Sequence, residues 1–176
     1  MIDYSSIFHD AQALSKKYLS RDPFEIITST PDMVLKESRE YGADGLKGYA
    51  VILNRTKFIV VNDFLVPEEK RVVAAHELGH IVRHESRLKA HPMRDFSVYE
   101  ATGRLEHEAN IFAADFLLDD EEVWDEIHTY GADFFSVAKN LRIPFPFFAF
   151  KLYSMLERGY NVRMPVDLDN TFLKSK

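Results

Sequence analysis

Apolar residues recur at helical spacing near the start of the chain. A helix is predicted over residues 5–20, closed by Asp22-Pro23. The apolar face of this helix comprises Ile7, Ala11, Leu14 and Tyr18. The short segment 24–27 fits either a helix or a strand. Pro31 and Asp32 then predict a second helix over residues 31–40.

The next two apolar runs have the composition of β-strands. Residues 48–53 and 58–61 are rich in β-branched and aromatic side chains, and the polar segment Asn54–Lys57 separates them. This pattern predicts a β-hairpin. Its exposed edge would suit an extended peptide that adds as a further strand. The alternative is that the strands only cover the core, because edge strands are generic.

Two longer amphipathic helices are predicted after the hairpin. The first runs from Pro67 to Glu85, with proline in its first turn and no proline thereafter. The second covers residues 105–118, where apolar side chains form a stripe at helical spacing. The polar segment 86–104 between them contains Pro92 and Gly103, and we expect a loop there.

The C-terminal third is rich in aromatic residues and predicts two helices, over residues 133–141 and 146–157. Their junction resembles a helix-turn-helix, and the second helix carries Lys151 and Arg158. This helix has few polar residues that would read bases. We therefore expect its aromatic side chains to be buried in the core, with a hydrophobic groove for a partner as the next alternative.

These elements predict one α+β domain over residues 1–166. It is expected to be mainly helical with a small antiparallel or mixed sheet, and its C-terminal helical part covers about 131–160. Residues 167–176 have the composition of a frayed tail. The hydrophobic content of 46% over 176 residues is sufficient for a core.

Composition and charge narrow the function classes. The chain has no cysteine, which excludes disulfides, thiolate metal sites and cysteine proteases. Neither a signal peptide nor an apolar run of membrane-spanning length is visible, so a cytoplasmic protein without membrane contact is expected. The net charge of −6, without a basic block, disfavours direct nucleic-acid binding and favours a protein or peptide partner.

Residues 76–80 carry the clearest chemistry, because they read His76-Glu77-Leu78-Gly79-His80 and match HExxH. On a helix, residues four apart lie one above the other, so both imidazoles can bind one cation. Glu77 lies one residue round the helix and can act as general base on a water at that cation. This is the core of a hydrolytic, zincin-like site that binds Zn²⁺.

A third protein ligand should come from a facing element, since water occupies the fourth position of a catalytic zinc. Glu106 and Asn110 share one row of the helix over 105–118, so Glu106 suits a ligand and Asn110 suits a support for a liganding histidine. Glu108 lies about 200° round from Glu106, so both cannot face the metal. The residues alone favour Glu106 and leave Glu108 open.

Three further histidines are expected outside the metal site. His91 and His107 are interpreted as exposed bystanders, because a fourth protein ligand would close the site to water. His84 lies two turns beyond His76 on the same face. It could support a ligand, but a role at the helix end is favoured.

HELGH followed about 25 residues later by Glu-x-Glu-Ala-Asn-x-Phe-Ala-Ala-x-x-Leu-Leu resembles the ImmA/IrrE metallopeptidase family. The resemblance covers about residues 45–120. It implies that His76, His80 and Glu106 bind the metal and that Glu77 is the general base. The family run commonly closes Leu-Leu-x-Pro, whereas this chain continues Leu117-Leu118-Asp119-Asp120, which affects only how the helix ends.

The resemblance implies a gluzincin-like, zinc-dependent endopeptidase. Relatives in phages and integrative elements cut or inactivate a helix-turn-helix repressor, so the expected substrate is a DNA-binding repressor encoded nearby. Its cleavage would derepress mobile-element or stress genes. The alternatives are a non-proteolytic anti-repressor with a structural metal and a DNA-binding regulator.

The sequence does not decide which divalent metal binds or which residue stabilises the oxyanion. Mn²⁺ and Fe²⁺ also suit two histidines and a glutamate. The donor that stabilises the oxyanion is sought among Tyr99, Tyr130 and His128, and the sequence does not choose between them.

Overall fold

The computed structural model describes residues 2–90, 103–129 and 133–164, which form an α+β fold as predicted. It is mainly helical with a small mixed sheet. The elements in chain order are α1 (Tyr4–Tyr18), α2 (Pro23–Ser29), β1 (Met33–Ser38), β2 (Gly48–Leu53), β3 (Thr56–Asn62), α3 (Pro67–Arg83), α4 (Glu85–Ala90), α5 (Arg104–Leu117), α6 (Asp120–Thr129), α7 (Phe134–Asn140) and α8 (Phe145–Glu157).

The sheet has the strand order β1-β3-β2, with β1 parallel and β2 antiparallel to β3. The predicted hairpin is confirmed as β2 and β3. Its two-residue turn is formed by Asn54 and Arg55, which both have positive φ (49° and 70°). Paired positive φ values are typical of a type I′ turn, whose twist matches that of the flanking strands.

The helix predicted over residues 31–40 is wrong, because this segment forms β1. Met33 and Leu35 pack against the core while Val34 is exposed, which is the two-residue period of a strand. The backbone N–H of Lys57 donates to the carbonyl of Asp32 at 2.8 Å, and β1 then pairs in register with β3. This long-range pairing outweighs the helix-start signal of Pro31 and Asp32.

The α3 and α5 helices pack against each other at the centre of the fold. They lie close together at Gly79, where a Cβ atom would lie 3.0 Å from Phe112 Cδ1 and 3.3 Å from the Ala109 carbonyl oxygen. Phe112 is fully buried, so it has little room to move away. The absence of a side chain at Gly79 therefore lets α5 come close to the histidine-bearing part of α3.

The aromatic residues of α8 lie in the core or pack against it, as expected, whereas Phe135 of α7 is exposed. Phe147, Phe148 and Phe150 of α8 are fully buried. Lys151 is also fully buried and lies 2.6 Å from Asp120, and Arg158 lies 2.6 Å from the same carboxylate. The two cations of the helix-turn-helix interpretation are thus bound inside the protein, which argues against a DNA-recognition helix.

Two helices were not expected from the sequence. The segment that begins the predicted loop forms α4, and residues 91–102 of that loop lie outside the described part of the chain. The α6 helix follows α5 directly and was also missed. The predicted tail over 167–176 lies outside the described residues. In the described ranges, every helix is too short or too polar to cross a lipid bilayer.

Candidate metal centre

Two helices bring three potential ligands together. On α3, the Nε2 atoms of His76 and His80 lie 3.1 Å apart. On α5, one carboxylate oxygen of Glu106 lies 3.4 Å from His76 Nε2, and the other lies 3.5 Å from His80 Nε2. One donor atom from each of the three residues falls within 4.8 Å of the others.

The spacing of these donor atoms fits a tetrahedral divalent cation. Ligand atoms at tetrahedral corners, each about 2.05 Å from zinc, stand about 3.3 Å apart. The two histidine nitrogens lie 3.1 Å apart, and each lies 3.4–3.5 Å from a different oxygen of Glu106. Two imidazole nitrogens and a carboxylate are ligands that zinc accepts, and three protein ligands leave one position for water. His76, His80 and Glu106, the donor triangle, therefore suit zinc in ligand type and approximate spacing.

The imidazole ring of His76 is also held by a hydrogen bond to α5. Its Nδ1 lies 2.8 Å from Asn110 Oδ1, one turn along α5 from Glu106. An amide oxygen accepts but does not donate, so His76 carries its proton on Nδ1 in this contact. The Nε2 lone pair then points towards His80 and Glu106. The contact between His76 and Asn110 that the sequence suggested is present.

Glu108 faces elsewhere and does not join the three donors. Its Oε1 accepts from Arg104 Nε at 2.8 Å, and its Oε2 lies 3.4 Å from His84 Nε2 and 3.7 Å from Arg83 Nη2. The Nδ1 atom of His84 in turn lies 3.0 Å from the Nδ1 atom of His80. The geometry thus places Glu106 with the histidine pair and Glu108 behind His84. His84 also caps the end of α3, so the helix-end position expected for it is present as well.

Glu77 lies beside the cluster, facing β2. It is 7% exposed, and the backbone N–H of Ala50 donates to its carboxyl group. Burial raises the pKa of Glu77 to about 7, and the neighbouring charge of Glu106 acts in the same direction. A Cβ on Gly48 would lie 3.6 Å from Glu77 Oε1 and only 2.4 Å from Val73 Cγ1. Glycine at this position lets β2 lie close against α3.

The two histidines of the cluster differ in their electrostatic surroundings. Burial and the neighbouring His76 lower the pKa of His80 to about 3, which keeps this imidazole neutral. Burial also opposes protonation of His76, but the hydrogen bond to Glu106 and the charges of Glu77 and Glu106 outweigh it and raise the pKa of His76. A cation between the two rings would take the place of that proton.

The other candidate residues lie apart from the three donors or outside the described chain. His107 is buried rather than exposed, because it packs between α1 and α8, with its Nε2 3.1 Å from the hydroxyl of Tyr4. His128 is exposed, and its ring stacks on Trp124 of the same helix. His91, Tyr99 and Tyr130 lie outside the described residues.

A His/His/Glu centre beside a buried glutamate is typical of metal-dependent hydrolases. Residues 28–153 match the model of the peptidase M78 family, described as the IrrE N-terminal-like domain, and the chain belongs to this family. The resemblance to ImmA/IrrE metallopeptidases is thereby confirmed. The chain is also 32% identical over 117 residues to "Uncharacterized immunity region protein 2" of Bacillus phage phi105, covering 66% of this chain and 71% of that protein.

Proposed function

We propose that the chain is a zinc-dependent endopeptidase of the cytoplasm that cleaves a helix-turn-helix transcriptional repressor at a specific site. His76, His80 and Glu106 hold the metal, and Asn110 supports His76. The observation that carries the proposal is that His76, His80 and Glu106 each place a donor atom within 4.8 Å of the others, beside a buried glutamate. Membership in a metallopeptidase family supports the same reaction class.

Glu77 supplies the proton transfer that peptide hydrolysis needs. Zinc, when bound, would polarise the scissile carbonyl and acidify a water molecule. The carboxylate of Glu77 accepts a proton from the attacking water and delivers it to the leaving amine as the C–N bond breaks.

The edge strand β2 is the proposed docking site for an extended segment of the substrate. The N–H of Asn62 donates to the carbonyl of Lys47 at 2.8 Å, so the alternate residues Gly48, Ala50 and Ile52 direct their backbone groups away from β3. Ala50 contacts Glu77 from this edge. A peptide that adds to β2 would therefore pass the general base, and α4, which also packs on β2, would limit its length.

The repressor is proposed as substrate from the family resemblance, and the phage relative is named as an immunity region protein. A helix-turn-helix repressor is therefore the protein class to test. Restricting the enzyme to one partner would also protect other proteins from an open hydrolytic site.

The test is cleavage of the helix-turn-helix protein encoded nearest to the gene of this chain. The purified chain, loaded with zinc, should convert it to two fragments with one defined junction, identified by mass spectrometry. Glu77→Gln should retain zinc and abolish cleavage, because the amide cannot accept the proton. Relief of repression without fragments would contradict the protease and favour a binding anti-repressor. Equal cleavage by Glu77→Gln would contradict the assigned base.

A further inference from the structure

Three imidazoles line α3 one turn apart, and the last of them lies outside the donor triangle. His84 is 5% exposed and stands between His80 and Glu108. Its Nδ1 is 3.0 Å from His80 Nδ1, and its Nε2 is 3.4 Å from Glu108 Oε2. Glu108 is itself buried at 7% exposure, and Arg104 donates to it at 2.8 Å.

The tautomers of His80 and His84 follow from where each ring must carry its proton. An imidazole that binds a cation through Nε2 carries its proton on Nδ1. His80 must then donate from Nδ1, and His84 Nδ1 must accept. The single proton of neutral His84 is left on Nε2, where it donates to the carboxylate of Glu108. The opposite direction fails, because a proton donated by His84 Nδ1 would leave the proton of His80 on Nε2 and block the metal position.

We propose that His84 and Glu108 form a hydrogen-bonded relay that holds His80 in its metal-binding tautomer and orientation. They are positioning residues, and the proposal rests on the metal site of the proposed function. The Asn110 amide performs the same task for His76 in one step. Such outer contacts fix the ring and increase the basicity of the liganding nitrogen.

The charge around Glu108 supports this role. A buried carboxylate needs compensation, and here Arg104 provides a hydrogen bond while Arg83 Nη2 lies 3.7 Å from Oε2. These two guanidinium groups compensate the carboxylate of Glu108. A carboxylate held in this way accepts hydrogen bonds, so it gives the relay one direction, from His80 through His84 to Glu108.

Zinc affinity of the full chain tests the relay, measured by competition with a chromophoric chelator. His84→Phe keeps a ring but offers no acceptor, so affinity should fall about 10- to 100-fold. His84→Asn places an amide oxygen near the former Nδ1 and should restore most of the affinity, to within about tenfold of wild type. His107→Asn is the matched control, since it removes a buried imidazole of α5 that lies apart from the donor triangle, and it should leave zinc affinity unchanged.

The outcomes separate the relay from the metal site and from a purely structural role. Equal zinc affinity of wild type and His84→Phe would overturn the relay while leaving the metallopeptidase proposal intact. A wild-type chain without zinc affinity would overturn both. Imidazole ¹⁵N NMR of the zinc-loaded wild type gives an answer even if a variant fails to fold. The relay requires the proton of His84 on Nε2, and a proton on Nδ1 would overturn it.

Discussion

Replacing Lys151 by methionine tests whether the buried ion cluster of the C-terminal helices holds the fold together. Lys151 Nζ lies 3.0 Å from Asp115 Oδ1 and 2.6 Å from Asp120 Oδ1. Neither Lys151 nor Asp115 is exposed to solvent. Methionine keeps the apolar stem in α8 and removes only the ammonium group, so the change is mainly electrostatic.

The expected loss follows from what remains around Asp115. After the change, its carboxylate keeps the hydroxyl of Ser154 at 2.6 Å and the guanidinium of Arg158 at 3.5 Å, but no close ammonium. Breaking one partner of a buried ion pair costs about 3–5 kcal/mol, because a buried charge is left under-compensated. That is a large fraction of a typical unfolding free energy of about 5–15 kcal/mol.

Urea unfolding at pH 7, followed by far-ultraviolet circular dichroism, measures this loss. Lys139→Met is the control, since Lys139 is exposed on α7 and the same chemical change there should alter stability by no more than about 0.5 kcal/mol. An unfolding free energy of Lys151→Met within about 1 kcal/mol of wild type would show that the buried ion cluster does not hold the fold together.

Three further outcomes are expected. Glu106→Gln should lower zinc affinity by more than about 100-fold, and Glu108→Gln by at most about tenfold. Metal titrations measure both affinities, and the reverse order would identify Glu108 as the third ligand. Gly48→Ala places a Cβ 2.4 Å from Val73 Cγ1, so urea unfolding should show a loss of about 1–3 kcal/mol, and unchanged stability would contradict the close packing of β2 on α3. Burial opposes ionisation of Asp120, but hydrogen bonds and charges from Arg158 and Lys151 lower its pKa to about 2, against an ordinary value of 3.8. Asp120 should therefore contribute about 2 kcal/mol of stability above pH 4 that is lost as pH falls to about 2, and an Asp120→Asn variant with the same acid dependence as wild type would contradict this.

The parts of the fold that the sequence predicts are those with local signals. The α3 and α5 helices and the β2–β3 hairpin each follow from periodicity or turn residues within one segment. The strand β1 does not, because its backbone partners come from β3, more than 20 residues away. A pairing of this kind leaves little trace in the segment itself.

The candidate site also has residues that the local sequence predicts and contacts that depend on how the helices pack. The histidine pair and Glu77 follow from five consecutive residues, and helix geometry alone puts Asn110 one turn from Glu106. The position of Glu108 behind His84 depends on how α5 rotates against α3, which spacing along the chain does not specify. The burial of Lys151 cannot be predicted from the sequence either, because lysine is rarely buried, and its burial here depends on the carboxylates of Asp115 and Asp120.

The proposed function depends on the binding of one zinc ion by His76, His80 and Glu106. Crystals of the zinc-loaded chain, with diffraction data collected on both sides of the zinc absorption edge, test it most directly. We expect one strong anomalous peak within about 2.0–2.2 Å of Nε2 of both histidines and of a Glu106 oxygen. A peak bound by Glu108 instead, or no peak between the two helices, would contradict it.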